Sequence, residues 1–290
     1  MGKLTTLKGK LKDEGSQMKL NMVHLCSSEN DKIIDKAIFK ATTHTSHDPP
    51  SDKYVTFLQS TVDTSYGPQA VTAIVQRLCL TKDVRVAAQC LILLHKMVKS
   101  ENGYREEEDS IRNLIYNQGG SNLNLNDLNE DSSSFAKELS PWVQWYKLYL
   151  DCFLFNAGVL GVTPNIKENS EEKRVEAERV ASYTTDCIFE QTDFLVDVFE
   201  YISGRPETPT DKPNRIVIEM IELVVKDYFS VMRLIKIRLE ELNERPDRPD
   251  EFVSVLVRLE NCMEGLSEFS WRNKNSNEDF WSLVLELKDG

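Results

Sequence analysis

VRVAAQCLILLHKMV, residues 84–98, places apolar side chains at Val84, Val86, Ala87, Ala88, Leu91, Ile92, Leu94, Met97 and Val98. At 3.6 residues per turn they cover nearly every side of a helix, and such a helix belongs at the centre of a helical domain. Working outward, Gly67-Pro68 opens a helix through Val71, Ile74, Val75 and Leu78, and Thr81 is expected to cap the central one. Ser51 or Asp52 caps an earlier helix whose core face is Val55, Leu58 and Val62. Before it, residues 30–42 carry a buried stripe of Ile33, Ile34, Ala37, Ile38 and Ala41, with Lys32, Lys36 and Lys40 on another flank. At the start of the chain, Leu4, Leu7 and Leu11, then Met18, Met22 and Leu25, recur at helical spacing among lysines. Gly9 and Gly15 make this a frayed first helix, since each weakens a helix by about 1 kcal/mol.

On the other side of the central helix, the spacing predicts a short helix over 106–116. The run GGSNLNLNDLNEDSSS (119–134) reads as an exposed loop. A long helix follows from Phe135, which Pro141 is expected to kink or restart, with Trp142, Trp145, Tyr146, Tyr149 and Phe153 as core. Three long amphipathic helices then cover about 170–203, 215–243 and 251–270, separated by GRPETPTDKPN and ERPDRPD. A last short helix over 278–287 carries Phe280, Trp281, Val284 and Leu285. No run demands a strand, so the predicted fold class is all-α, with consecutive helices packed as antiparallel pairs.

The longest apolar runs, such as CLILL at 90–94, fall far short of the roughly 20 residues of a membrane span. The N-terminus MGKLTTLKGKLK has no secretory h-region. The expectation is a cytoplasmic protein. The six cysteines form no CxxC motif and are expected to be buried free thiols; His95, inside LILLHKMV, reads as a core histidine. The net charge of −12 is uneven: residues 1–60 hold nine Lys and seven Asp plus Glu, so the remainder carries −14. An acidic body excludes nucleic-acid binding by bulk electrostatics and leaves only the N-terminal end to face an anionic surface.

That end contains KATTHTSHDPPSDKY, residues 40–54. It closes one helix, turns through Pro49-Pro50 and reopens as another with Lys53 and Tyr54 on the first turn. Such a hinge gathers cations and donors from two helices around one point, the arrangement that holds a phosphate group without a catalytic pocket.

The ordered set DKAIFKATTH (35–44), Pro-Pro followed by a basic-aromatic pair, VRVAAQCLILLHKMV, WYKLYLD (145–151) and NRIVIEMIELVVKDYFSVM (214–232) resembles the ANTH domain of clathrin-assembly proteins. Its Asp-Lys-Pro and Arg-Pro spacers are similar to the plant branch. The resemblance implies an ENTH/ANTH-like superhelix continued by long C-terminal helices. It makes 1–290 a single ANTH domain, with an array over 1–165 and an extension over 166–290. It also implies binding of phosphoinositide headgroups in endocytosis, at coated pits and vesicles of the plasma membrane or Golgi, with no cofactor and no enzymatic activity. The family's lipid motif is a lysine, a spacer, a lysine, one further residue, then Lys or Arg followed by His or Tyr. Lys40 matches its first position, and Lys53 and Tyr54 its closing pair. Ser51 stands where the middle lysine belongs, with Asp48 and Asp52 nearby.

The site implied is Lys36, Lys40, Lys53 and Tyr54, with His44 in support. The alternative is an interaction module of the same fold that binds SNARE helices in a groove among 215–270, around Val224, Val231, Leu256 and Met263. Family members also carry a long tail of clathrin-binding motifs, and this chain ends soon after the last predicted helix, which puts direct contact with clathrin coat components in question. Asp197-Val198-Phe199 has the adaptor-binding DxF form but sits in a helical run, where Phe199 is expected to be packed.

Overall fold

A computed structural model describes residues 10–15, 29–100, 115, 128, 133–160, 170–207, 214–246, 251–272 and 274–289, and no strand occurs among them. The all-α expectation holds. The helices are α1 (Glu29–Ala41), α2 (Asp52–Gln59), α3 (Gly67–Leu80), α4 (Val84–Val98), α5 (Ser134–Val159), α6 (Ser170–Ala181), α7 (Thr185–Ser203), α8 (Arg215–Glu244), α9 (Phe252–Leu266) and α10 (Lys274–Asp289), with a 3₁₀ turn at Ser267–Arg272. Two compact units are present, each built from two stretches of chain. Met1–Lys147 and Glu207–Ile221 form the first, and Leu148–Pro206 and Glu222–Gly290 the second.

In the first unit α4 is the centre that its sequence demands. Every residue from Val84 to Val98 is buried except half-buried Lys96. Each large aliphatic side chain buried this way contributes about 1.5–3 kcal/mol. Polar members of the helix find partners: His95 Nδ1 lies 2.7 Å from the Tyr146 hydroxyl, and Arg85 pairs with Asp83 and lies over the Phe135 ring, while the buried Gln89 Oε1 accepts no hydrogen bond among the described residues. Asp83, not Thr81, is the N-cap, accepting from the Arg85 amide at 2.9 Å; the Thr81 hydroxyl accepts from the Asp83 amide one step earlier. α1 packs on α2 and α3, and α2 and α3 pack on α4.

Burial on α1 follows its stripe at Ile34, Ala37, Ile38 and Ala41, whereas Ile33 is 48% exposed. At 100° per residue Ile33 stands about 90° from the centre of that stripe, which puts it at the solvent boundary. Ser51 is the N-cap of α2 by position, yet its side chain makes no capping bond; its carbonyl accepts from the Tyr54 and Val55 amides. α5 runs through Pro141 as one helix with no restart, and Trp142, Trp145, Tyr146, Tyr149 and Phe153 are all buried. Cys90 and Cys262 are buried, but Cys79 is exposed near the end of α3. The helix expected over 106–116 and the loop over 119–134 lie outside the described residues, apart from buried Ile115 and Leu128 and the residues from Ser133 onward.

In the second unit the single helix expected over 170–203 is two helices. Thr184 caps α7 by accepting from the Cys187 amide, and Arg245 donates to the carbonyls of Ala181 and Tyr183, both at 3.1 Å. A distant guanidinium thus satisfies the carbonyls that end α6, which makes the break favourable. α9 packs along α7; a Cβ on Gly265 would lie 3.1 Å from Ser203, so glycine permits the close approach. Arg238, with no exposed side-chain surface, donates to Glu176 at 3.1 Å and to Gln191 at 2.8 and 3.1 Å. Val224, Val231 and Leu256 are wholly buried and Met263 half-buried. The first three are core side chains, as is Phe199 of the DxF tripeptide.

Candidate functional site

The basic hinge is built by α1, α2 and the loop between them. Lys36 and Lys40 stand one turn apart on α1, both exposed, with Lys40 in the last turn, where a cation is favoured by the helix dipole. Lys53 is exposed on the first turn of α2, its ammonium 5.8 Å from the ring centre of half-buried Tyr54. Lys32 pairs with Glu29 at 3.6 Å, but none of Lys36, Lys40 and Lys53 forms an ion pair with a described residue. Asp52 lies in the first turn of α2, where its charge complements the helix dipole.

The end of α1 is held from α3. Arg77 donates to both the hydroxyl and the carbonyl of Thr42, and its guanidinium lies 5.1 Å from the centre of the Phe39 ring. Thr42 in turn donates to the Ile38 carbonyl at 2.7 Å. These contacts satisfy groups that a helix C-terminus otherwise leaves open and fix the turn that carries Lys40. Burial pulls the Arg77 pKa down, with nearby Asp13 and Asp83 opposing.

His44 is not presented to solvent with the lysines. Asp13, in the helical stretch 10–15, accepts from the His44 amide at 3.0 Å and meets its ring Nδ1 at 2.7 Å. The two side chains are only 11% and 18% exposed. Burial alone raises the Asp13 carboxyl, but the two His44 bonds and the charges of His44 and Arg77 together hold it below the usual carboxylate range. His47 is exposed, its ring 4.4 Å from that of Phe135.

Asp48 is also committed. Its carboxylate lies 2.6 Å from Arg215 on the first turn of α8, and its carbonyl accepts from Gln89 of α4 at 2.9 Å. Thus one of the two acids flanking the lysines is matched by a cation. Sequence reasoning missed Arg77, Asp13 and Arg215. No local signal marks them, because their partners are 35, 31 and 167 residues away.

A family model, the ANTH domain, matches residues 33–275, which include the whole hinge. The chain belongs to the ANTH domain family. It is 66% identical to an Arabidopsis thaliana protein named "Putative clathrin assembly protein At5g65370" over the full length of both chains. Two further Arabidopsis proteins with the same descriptive name, At5g10410 and At4g40080, are 40% and 30% identical over 99% of this chain, covering 86% and 82% of their own lengths. Within this ANTH domain the described residues hold no cluster of metal-ligating side chains, and no described helix is long and apolar enough to cross a membrane. A cleft in the second unit is lined by Glu240, Glu241 and Glu244, a charge that repels phosphate.

Proposed function

We propose that this ANTH domain is a peripheral membrane adaptor of clathrin-mediated vesicle traffic, holding a phosphoinositide headgroup at the α1–α2 hinge through Lys36, Lys40, Lys53 and Tyr54. The observation that carries the reading is that all three lysines are exposed and unpaired among the described residues, on two helices that pack against each other. Each basic residue near an anionic lipid surface contributes about 1 kcal/mol. Three lysines therefore supply weak, reversible attachment. His44 acts in support by tying the stretch 10–15, with Lys10 and Lys12, to the same loop through Asp13. Clathrin coat components are its partners in this reading, in line with the names of its relatives. The alternative of a SNARE-binding groove gains no support, because Val224, Val231 and Leu256, three of the four side chains that would line it, are packed in the core. No chemistry is assigned to the domain; it binds.

Co-sedimentation with phosphatidylcholine vesicles, with and without phosphatidylinositol bisphosphate, tests the proposal. Lys40→Glu with Lys53→Glu removes two of the three attractive charges, about 2 kcal/mol, adds two repelling ones, and is expected to lower partitioning by at least roughly thirtyfold. Unchanged binding of that variant would overturn the site.

A further inference from the structure

We infer that Arg215 is a further ligand of the anionic headgroup, and that its ion pair with Asp48 is a resting contact which a phosphate of an inositol headgroup displaces. The inference rests on the proposed headgroup site and adds to it one residue from a distant part of the chain.

The geometry argues for a built arrangement. Asp48 sits in the α1–α2 loop, eight residues after Lys40 and five before Lys53, so its Cα lies within about 18 Å of that of Lys53 by chain length alone. The loop is held there independently of Arg215: Gln89 donates to the Asp48 carbonyl at 2.9 Å, and the Asp48 amide donates to the Ser46 hydroxyl at 3.0 Å. Arg215 is positioned by equally independent contacts. The Ile216 amide donates to Asn214 at 2.9 Å at the start of α8. One turn on, Glu219 pairs at 2.5 Å with Lys96, both largely buried. Gln89 and Lys96 both belong to α4, so one buried helix fixes the loop and the first turns of α8. Arg215 and Asp48 meet because their backbones are held in place, not because their charges drew them together.

The pair itself is easily exchanged. The Arg215 side chain is 74% exposed and that of Asp48 56%, and they meet through Nη1 and one carboxylate oxygen at 2.6 Å. An exposed pair of this kind contributes little to stability, so the fold does not depend on it. The guanidinium fork keeps donors for a second acceptor, and phosphate takes such a fork in bidentate fashion with more charge than a carboxylate. Arg215 also brings a cation to the loop where Ser51 supplies none.

The test exploits a difference in sign. Arg215→Gln and Asp48→Asn both break the pair, so a merely structural tether predicts the same effect from each. Headgroup exchange predicts opposite effects: about fivefold weaker binding for Arg215→Gln and about fivefold tighter binding for Asp48→Asn, one charge in each case. Both side chains are exposed, and unchanged circular dichroism confirms the fold of each variant. The probes are phosphatidylcholine vesicles with phosphatidylinositol bisphosphate, and soluble inositol hexakisphosphate followed by calorimetry. Opposite shifts in both arms support exchange at a lipid headgroup, and opposite shifts in the soluble arm alone assign the exchange to a free inositol phosphate. Shifts of the same sign, or none, overturn the inference; if the Lys40→Glu, Lys53→Glu variant loses binding in that same series, the headgroup site itself stands. If that lysine variant binds normally, the site and the inference fall together.

Discussion

Replacing Arg77 by Met is expected to loosen the end of α1 and with it the lysine that opens the site. Arg77 is the sole described donor to the Thr42 carbonyl and also bonds its hydroxyl, and Thr42 has no exposed surface. Leaving a buried acceptor unpaired costs about 1–3 kcal/mol. Loss of the guanidinium from the Phe39 face adds about 0.5–1 kcal/mol. Part of this is returned, because Met no longer requires a buried cation to be desolvated. The net loss is about 2 kcal/mol, or roughly 4–8 °C in the melting temperature of a unit of this size. Urea unfolding and thermal melting followed by circular dichroism measure it. Arg77→Lys keeps the charge but cannot make both bonds of the fork, and is expected to lose most of the same stability. Vesicle binding is expected to weaken in parallel, since the last turn of α1 carries Lys40. A loss below about 0.5 kcal/mol, the range of an ordinary surface substitution, would refute the claim that Arg77 holds this helix end.

Two further outcomes follow from buried groups. Glu176→Gln strips the counter-charge from Arg238, which is fully buried, and is expected to cost about 3–5 kcal/mol, whereas the same change in an Arg238→Met background costs far less; equal costs in the two backgrounds, by chemical denaturation, would contradict the pairing. Cys90 is wholly buried, which pushes its thiol up to about 12 from an ordinary 9.0. The unfolded chain therefore releases this proton first, and stability that is complete below pH 9.0 is lost as pH rises toward 12. Between pH 8 and 10 the parent is expected to lose about 1.4 kcal/mol more than Cys90→Ala; parallel pH profiles in urea would show that the thiol is not shielded.

Helix positions were largely legible because burial and helical period are both written locally. The stripes of α1, α2, α3 and α4 can be read from the spacing of apolar residues, and the same spacing identified His95, Phe199 and the aromatic row of α5 as core. At two places a group that the apolar spacing does not register had intervened. The break between α6 and α7 is favoured by Arg245, and the capping role expected of Thr81 passes to Asp83, two residues on, whose carboxylate takes the Arg85 amide. The exposure of Lys36, Lys40 and Lys53 was also legible, since they lie on polar flanks beside a proline turn.

Local spacing was enough to show that the chain is helical, to place most of its buried faces, and to find a basic hinge between two helices in the pattern of the ANTH family. Which charges at that hinge are committed and which are open emerged from the packing of distant segments. It joined Asp13 to His44, Arg77 to Thr42 and Arg215 to Asp48. A hydrophobic period records how far a residue lies from the core, whereas a charge pair depends on which two surfaces the packing brings together. That information is spread over the whole chain and becomes local only when it folds.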